Sequence, residues 1–476
     1  MGTDTQSSEA RFAAYVEALA RSLGHVGRAQ PLKDYCTGLL MPGERKSVEP
    51  MAAVVAPSRA SAEHQSLLHF VGQAAWSDEA VLGKVRELVL PAIEAQGGPV
   101  EAWIVDDTGF AKKGVHSVGV TRQYCGRLGK TDNCQIAVTL SVANHAASLP
   151  IAYRLYLPED WAGDAARRKK TGVPDEVKFK TKSQISLAQI AAALAAGVRP
   201  GVVLADAAYG VNGAFRAGLT RLGLTYAVGV QSNVTIWAPG VEPLPPATGR
   251  GRGRPTTRLR RDAEHAPVSV KGLAKSLPAE AWKAVTWREG SNDAMTSRFA
   301  AARIRHAPGK GDLTKLSDVE WLLVEWPEGE SEPTKYWLST LPQDTPPATL
   351  VDVAKLRWRI ERDYEELKSE LGLAHFEGRG WRGFHHHATL CIASYGLLIR
   401  ERAEIPPCGA ARRQTPRLSN RPRPRGAADP AREACRKFNR DDTAQTHRRA
   451  RANAATMSVL SVHQTESTLS SAFVTQ

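Results

Sequence analysis

Acidic residues at the ends of two apolar runs stand where they could bind metal ions. In the segment WIVDDTGF, a short apolar run is followed by Asp106 and Asp107, and a second run, GVVLAD, ends in Asp206. Clustered carboxylates repel one another unless a cation joins them, and their hard oxygen atoms suit Mg²⁺ or Mn²⁺. Each aspartate taken alone is more often a solvated loop residue or a helix cap.

A third carboxylate lies on a predicted helix. The segment ATLVDVAKLRWRIERDYEELKSELG, residues 348–372, has the apolar spacing of an amphipathic helix, and Gly372 predicts its end. At about 100° per residue, Arg357, Glu361 and Lys368 fall within roughly 40° of one another around the axis. One helix face therefore presents a cation, a carboxylate and a second cation, although a surface ladder of ion pairs gives the same spacing.

The elements that would position these residues form a mixed α/β pattern. Residues 1–95 have helical periodicity, and residues 96–230 hold three strand-like runs followed by alternating helices and strands, which predicts a mixed sheet flanked by helices. We interpret residues 231–340 as a β-rich insertion. Residues 341–405 return to helices, and the Arg/Pro-rich composition of residues 406–476 is typical of disorder.

Composition narrows the class of protein. The net charge of +14 and the pI of about 9.6 favour a polyanionic partner, with nucleic acid as the first candidate. None of the six cysteines forms a C-x-x-C pair, which argues against a zinc ribbon and suits a reducing compartment. The N-terminus lacks an apolar signal core, and the alanine-rich run LAQIAAALAAGV is too short to cross a bilayer. We expect a cytoplasmic protein that does not associate with membranes.

Taken together, the three acidic motifs resemble those of insertion-sequence DDE transposases. The signature of that family is Tyr, two residues, Arg, three residues, Glu, six residues, Lys. Arg357, Glu361 and Lys368 match this signature, whereas Ala354 stands at the tyrosine position. The segments VDDTG and VLADAAYG resemble the two aspartate motifs of the family, and the resemblance spans roughly residues 60–400.

The resemblance implies an RNase H-like core in which Asp107, Asp206 and Glu361 bind two Mg²⁺ or Mn²⁺ ions. Such an enzyme cuts transposon DNA ends and joins the freed 3′ hydroxyl to target DNA. The helical N-terminal domain would bind the terminal inverted repeats, and we expect a homodimer in the synaptic complex and association with the nucleoid. Asp107 is preferred because the family's Asp-Thr pair matches Asp107 and Thr108. Strand alternation sends Asp106, the alternative, to the opposite face.

Several cations are candidates for DNA contacts. Arg357 and Lys368 would contact phosphates beside the cleaved bond. Lys112 and Lys113, just beyond the first strand, are either phosphate contacts or part of a solvated turn.

An arginine-rich loop is a further candidate, with six arginines between positions 250 and 261. Within it, Arg252 and Arg254 match the core of an AT-hook, in which an extended arginine pair enters a narrow minor groove. The C-terminal region, with 14 Lys and Arg residues between positions 402 and 451, is a candidate for nonspecific DNA binding.

Three consecutive histidines, His385, His386 and His387, suggest a metal site at first sight. Consecutive residues on a helix point about 100° apart, so these side chains cannot converge on one ion. We expect them to pack or to contact phosphate.

Other functions remain open at the level of sequence. A plain metal-dependent nuclease would use the same acids, and a catalytically inactive, transposase-derived protein would keep DNA binding alone. A glycosidase with paired carboxylates explains neither the charge of +14 nor the cationic helix face.

Overall fold

The computed structural model describes residues 7–246, 257–289, 294–307 and 316–405. The N-terminal region is helical, as predicted, and comprises α1 (Ser8–Ala20), α2 (Ala29–Leu40), α3 (Val48–Val55), α4 (Ala60–Gly72) and α5 (Asp78–Gly97). Ser7 and Ser77 begin α1 and α5, since each hydroxyl accepts a hydrogen bond from a backbone amide of the first turn. In the ranges described, no helix is both long and apolar enough to cross a membrane.

A mixed sheet with flanking helices follows. Its elements are β1 (Ala102–Ala111), β2 (Thr121–Cys125), β3 (Lys130–Ala143), β4 (Ser148–Leu155), α6 (Glu159–Ala162), α7 (Ala165–Thr171), α8 (Lys182–Ala195), β5 (Val202–Ala205), α9 (Ala207–Gly210), α10 (Gly213–Arg221) and β6 (Tyr226–Val230). The β1 strand pairs antiparallel with β3 and parallel with β5, and β5 pairs parallel with β6. This arrangement confirms the predicted α/β class and is consistent with an RNase H-like core.

The segment interpreted as an insertion is rich in strands, but those strands extend the core sheet. The strands are β7 (Thr235–Trp237), β8 (Val268–Ser269), β9 (Lys283–Glu289), β10 (Ala294–His306), β11 (Val319–Trp326) and β12 (Lys335–Ser339), and one helix, α11 (Val270–Ser276), lies between β8 and β9. Because β12 pairs antiparallel with β6, one sheet runs β2-β3-β1-β5-β6-β12-β11-β10-β7-β8, with β4 on β3 and β9 on β10. Backbone hydrogen bonds therefore connect the insertion to the sheet that carries the acids.

The prediction of a single long helix over residues 348–372 is wrong, because the structure divides this segment into shorter helices. It consists of α12 (Pro347–Lys355), α13 (Trp358–Glu365) and a π-helical stretch (Glu366–Glu370), and α14 (Trp381–Glu404) follows. Between the first two helices the backbone forms a tighter, 3₁₀-like turn. There the amides of Arg359 and Ile360 donate to the carbonyls of Leu356 and Arg357, three residues earlier. Gly372 ends the π-helical stretch as predicted, with a left-handed φ of 70°.

The N-terminal helices and the sheet share one hydrophobic core. The α14 helix lies at its centre and is buried along nearly its whole length, in contact with α5, α2 and β4. Polar contacts add to this packing: the Tyr15 hydroxyl donates to the Ala393 carbonyl at 2.9 Å, and Arg11 pairs with Glu401 at 2.6 Å. The N-terminal helical region is thus packed directly against the core.

Candidate active site

The register of the sheet brings the two aspartate motifs together. The β1 and β5 strands run parallel, with Ile104 opposite Leu204, so both motifs lie at the same edge. The β5 strand ends one residue before Asp206, which caps α9. Its carboxylate accepts hydrogen bonds from the amides of Ala208 and Tyr209, at 2.9 and 3.4 Å. This cap fixes the carboxylate at the strand end.

Asp106 faces the helical segment that carries Glu361. Its Oδ2 lies 2.8 Å from a guanidinium nitrogen of Arg357, and the two side chains are only 18% and 22% exposed. Burial and, to a smaller degree, the nearby Asp206 carboxylate raise the pKa of Asp106 to about 6, although Arg357 opposes both effects. Arg357, itself largely buried, therefore already supplies a positive charge to the Asp106 carboxylate.

Asp107 faces the other way and has different partners. Its Oδ2 accepts a hydrogen bond from Lys182 Nζ at 2.6 Å, and its Oδ1 accepts one from the Tyr209 hydroxyl at 2.5 Å. Burial, together with the neighbouring Asp107 carboxylate, raises the pKa of Tyr209 well above its ordinary value, so Tyr209 stays a hydrogen-bond donor. The sequence alone predicted neither Lys182 nor Tyr209 as a partner of Asp107, although Tyr209 lies in the motif VLADAAYG.

Glu361 lies at the mouth of the site. It is 74% exposed, and its carboxylate is 3.9 Å from Arg357, one helical turn away. The Arg357 guanidinium also lies within electrostatic range of Asp106 and Asp206, because all three carboxylates stabilise its charge. One cation therefore stands among three acids that come from three separate elements.

The four acids are linked in two pairs. Tyr209 connects the first pair, because its backbone amide donates to Asp206 and its hydroxyl donates to Asp107. Arg357 connects Asp106 to Glu361. A groove of about 1120 Å³ opens beside them between the core and the insertion, and its lining includes Asp206, Arg357, Glu361, Trp287 and Trp337.

Two comparisons place this geometry in a family. Residues 18–294, more than half of the chain, match the family model described as DDE superfamily endonuclease. The chain belongs to the DDE superfamily endonucleases. The matched region contains the β1 and β5 aspartates but ends before Glu361.

A curated relative carries a more specific description. The chain is 33% identical over 193 residues to a protein of Microchaete diplosiphon described as "Probable transposase for insertion sequence element IS701". The alignment covers 40% of this chain and 46% of that relative, so the similarity spans less than half of either protein.

The donor chemistry of this DDE endonuclease suits a hard divalent cation. Mg²⁺ and Mn²⁺ prefer carboxylate oxygens as ligands, and Asp106, Asp107, Asp206 and Glu361 all offer them. Within the described ranges, however, no three His, Cys, Asp or Glu side chains already converge on a common point. Each carboxylate instead contacts a protein cation or donor, and Arg357 and Lys182 supply positive charge to the cluster.

Lys368 is predicted to share an exposed helix face with Arg357, but its side chain lies against β1 instead. Its Nζ donates to the Gly109 carbonyl of β1 at 3.2 Å and lies 5.2 Å from the centre of the Phe110 ring. Burial lowers the pKa of Lys368 to about 8. The π-helical stretch, which has more residues per turn than an α-helix, turns this side chain toward β1.

The other candidate cations fall in different environments. Lys112 donates to the Phe376 carbonyl at 2.9 Å, and burial lowers its pKa, whereas Lys113 is exposed. Arg252 and Arg254 lie outside the described residues, as does the region beyond residue 405. Ala354, at the tyrosine position of the signature, is buried in a small apolar cluster against the insertion.

The three histidines of α14 serve packing, which was one of the two expected roles. His385 contacts β4, and His386 contacts the end of α4 and the segment after it. His387 contacts both α2 and the Gly372 carbonyl. Burial lowers the pKa of each ring to about 4. They bond to separate parts of the fold and do not point to a common site.

Proposed function

We propose that this protein is an insertion-sequence transposase that cuts DNA strands at the ends of its element and joins the freed 3′ hydroxyl to target DNA. The observation that carries the proposal is the cluster of acids at one edge of the sheet, where Asp106, Asp206 and Glu361 lie around Arg357. Tyr209 links the neighbouring Asp107 to Asp206 in the same cluster. The description of the Microchaete relative supports the same activity. The reaction would require two Mg²⁺ or Mn²⁺ ions.

The proposed metal ligands are Asp107, Asp206 and Glu361. Asp106 is nearer to Arg357, but displacing that contact would leave a largely buried guanidinium without its carboxylate partner. The cation that pairs with Asp107 is easier to release, because Lys182 is 32% exposed and its flexible stem can carry the ammonium into solvent or toward a phosphate. Asp106 therefore fits the role of positioning Arg357, and Asp107 fits the role of ligand.

Bound metal ions would supply activation of a water or 3′-hydroxyl nucleophile and stabilisation of the leaving oxygen. The protein's own cations have a separate task. Arg357 and Lys182 lie among the acids, where a guanidinium and an ammonium can bind the non-bridging oxygens of the scissile phosphate and of its neighbours.

The proposed partners are the terminal inverted repeats of the element and the target DNA. The net charge of +14 supports binding to a polyanion, and Lys113, Arg252 and Arg254 are candidate contacts. Two ends must be cut together, so we propose a homodimer in the synaptic complex and association with the nucleoid.

Cleavage of a labelled DNA that carries the repeats flanking the gene tests this function. Wild type would be compared with Asp206→Asn and Glu361→Gln, with Mg²⁺, with Mn²⁺ and with EDTA. We expect metal-dependent cuts at the repeat ends, which both variants lose while they still bind the DNA. Cuts without joining to target DNA would indicate a plain nuclease, and repeat binding without cuts by the wild type would indicate an inactive DNA-binding descendant.

A further inference from the structure

A basic segment runs from α7 to the first residue of α8, and only its last cation, Lys182, takes part in the site described above. Residues 167–182, here called the basic strap, hold seven cations and only two acids, Asp175 and Glu176. The cations are Arg167, Arg168, Lys169, Lys170, Lys178, Lys180 and Lys182. So strong a local excess of positive charge is unfavourable unless solvent or a polyanion compensates it.

The strap is held in a defined shape. Arg168 donates to the carbonyls of Pro174 and Val177, at 2.9 and 2.8 Å, and so ties the end of α7 to the following loop. The Arg167 guanidinium lies 3.7 Å from the centre of the Trp161 ring. Gly172 reverses the chain after α7 with a φ of 63°. These contacts use two of the arginines for structure and leave the lysines to face outward.

Four lysines of the strap remain available to a partner. Lys169, Lys170, Lys178 and Lys180 are exposed, and no carboxylate in the described ranges lies within ion-pair distance of them. Phe179, between the last two, is 38% exposed. Asp78 and Glu79 line a second groove together with Lys178 and Lys180, and they pair with neither lysine. Unpaired lysines that flank an exposed aromatic ring are suited to a phosphate backbone.

The strap leads directly into the candidate active site. Its last cation, Lys182, contacts Asp107 at 2.6 Å. The four residues from Lys178 to Lys182 span at most about 14 Å, which is the axial length of about four base pairs. The exposed lysines thus lie within a few phosphates of any bond cut at the acids.

We propose that the basic strap binds the phosphate backbone of the DNA next to the cleaved bond and guides that strand to Asp107. This inference rests on the proposed function for the identity of the DNA that is cut. The binding it predicts can nevertheless be measured without cleavage, so the two claims can fail separately.

The test compares three variants with wild type in EDTA, with a fluorescent duplex of about 30 base pairs and a range of salt concentrations. They are Lys169→Gln/Lys170→Gln, Lys178→Gln/Lys180→Gln and the fourfold combination. Each phosphate contact contributes about 0.9 to the slope of log K against log salt. If all four lysines contact phosphate, we expect the fourfold variant to reduce that slope by about 3.6 and to weaken binding at 0.1 M salt by about tenfold or more.

Lys271→Gln/Lys275→Gln is the matched control for each double variant. It also removes two positive charges, but both lysines already pair with Glu332. We expect its binding to stay within about twofold of wild type. The strap proposal is overturned if the fourfold variant keeps the wild-type slope, or if the control loses as much as the strap variants. Normal strap binding by a wild type that never cleaves would reject the proposed function and leave the strap as a DNA-binding surface.

Discussion

At the scale of residues, the site is a balance between buried carboxylates and the cations placed among them. Asp106 and Arg357 form its most buried ion pair, and neither side chain is more than 22% exposed. An ion pair at this depth adds little net stability, but removing one partner leaves the other charged and poorly solvated.

A double-mutant cycle tests this pairing. Arg357→Gln should lower the free energy of unfolding by about 2–4 kcal/mol, because Asp106 is left without its cation. Arg357→Gln/Asp106→Asn should recover at least half of that loss, since no buried charge remains unpaired. Denaturant unfolding measures both values. Strictly additive losses would show that the two residues do not depend on each other.

At the scale of elements, β11 joins the insertion to the helix segment that leads into Glu361. Glu325 on β11 accepts two hydrogen bonds from Lys355 at the end of α12, both at 2.7 Å. Both side chains are buried, and Trp287 lies 4.4 Å from the Lys355 ammonium. This contact fixes the end of α12 against the sheet, just before α13 begins.

The Lys355–Glu325 contact gives a second prediction. Lys355→Met should destabilise the protein by about 3–5 kcal/mol, because Glu325 is left buried and unpaired. Lys355→Met/Glu325→Leu should return close to wild-type stability, since apolar pairs replace buried ion pairs at little loss. Thermal unfolding of the three proteins decides the matter. If the double variant is as unstable as the single one, a different interaction holds α12 in place.

At the scale of the whole molecule, a second buried carboxylate on β11 joins the insertion to the core on the other face of the sheet. Glu320 accepts a hydrogen bond from the Tyr226 hydroxyl of β6 at 3.1 Å and lies near Arg216 of α10. Burial nevertheless raises its pKa to about 7. The core and the insertion thus share an acid that holds its proton more tightly when the protein is folded.

This acid makes stability depend on pH. Its contribution is fully present below about pH 4.5, the unfolded pKa, and is lost as the pH rises through about 7, for a total of up to about 3 kcal/mol. Glu320→Gln removes the charge, so it should raise the melting temperature at pH 8 and change little at pH 5. A lower melting temperature of this variant at pH 8 would show that the pairing of Glu320 with Arg216 outweighs its burial.

The sequence predicted the acids and their setting better than their partners. Alternation along β1 correctly separated Asp106 from Asp107, because neighbouring strand residues point to opposite faces. Lys182, by contrast, is 75 residues from Asp107 in the chain, and only the packing of α8 on the sheet brings them together.

Some of the architecture left no local signal. The tightened turn at Leu356 and Arg357 falls among good helix formers, so periodicity predicted a continuous helix. The pairing of β12 with β6 joins segments more than one hundred residues apart, which an apolar pattern does not specify.

The most direct test of the account is DNA cleavage by Asp107→Asn and Asp106→Asn on the same repeat-end substrate with Mn²⁺. If Asp107 is the ligand that acts with Asp206 and Glu361, Asp107→Asn should lose at least about a hundredfold in rate. Asp106→Asn, whose amide still accepts a hydrogen bond from Arg357, should lose less than about tenfold. Full loss in Asp106→Asn with activity kept in Asp107→Asn would contradict the account and assign the ligand to Asp106.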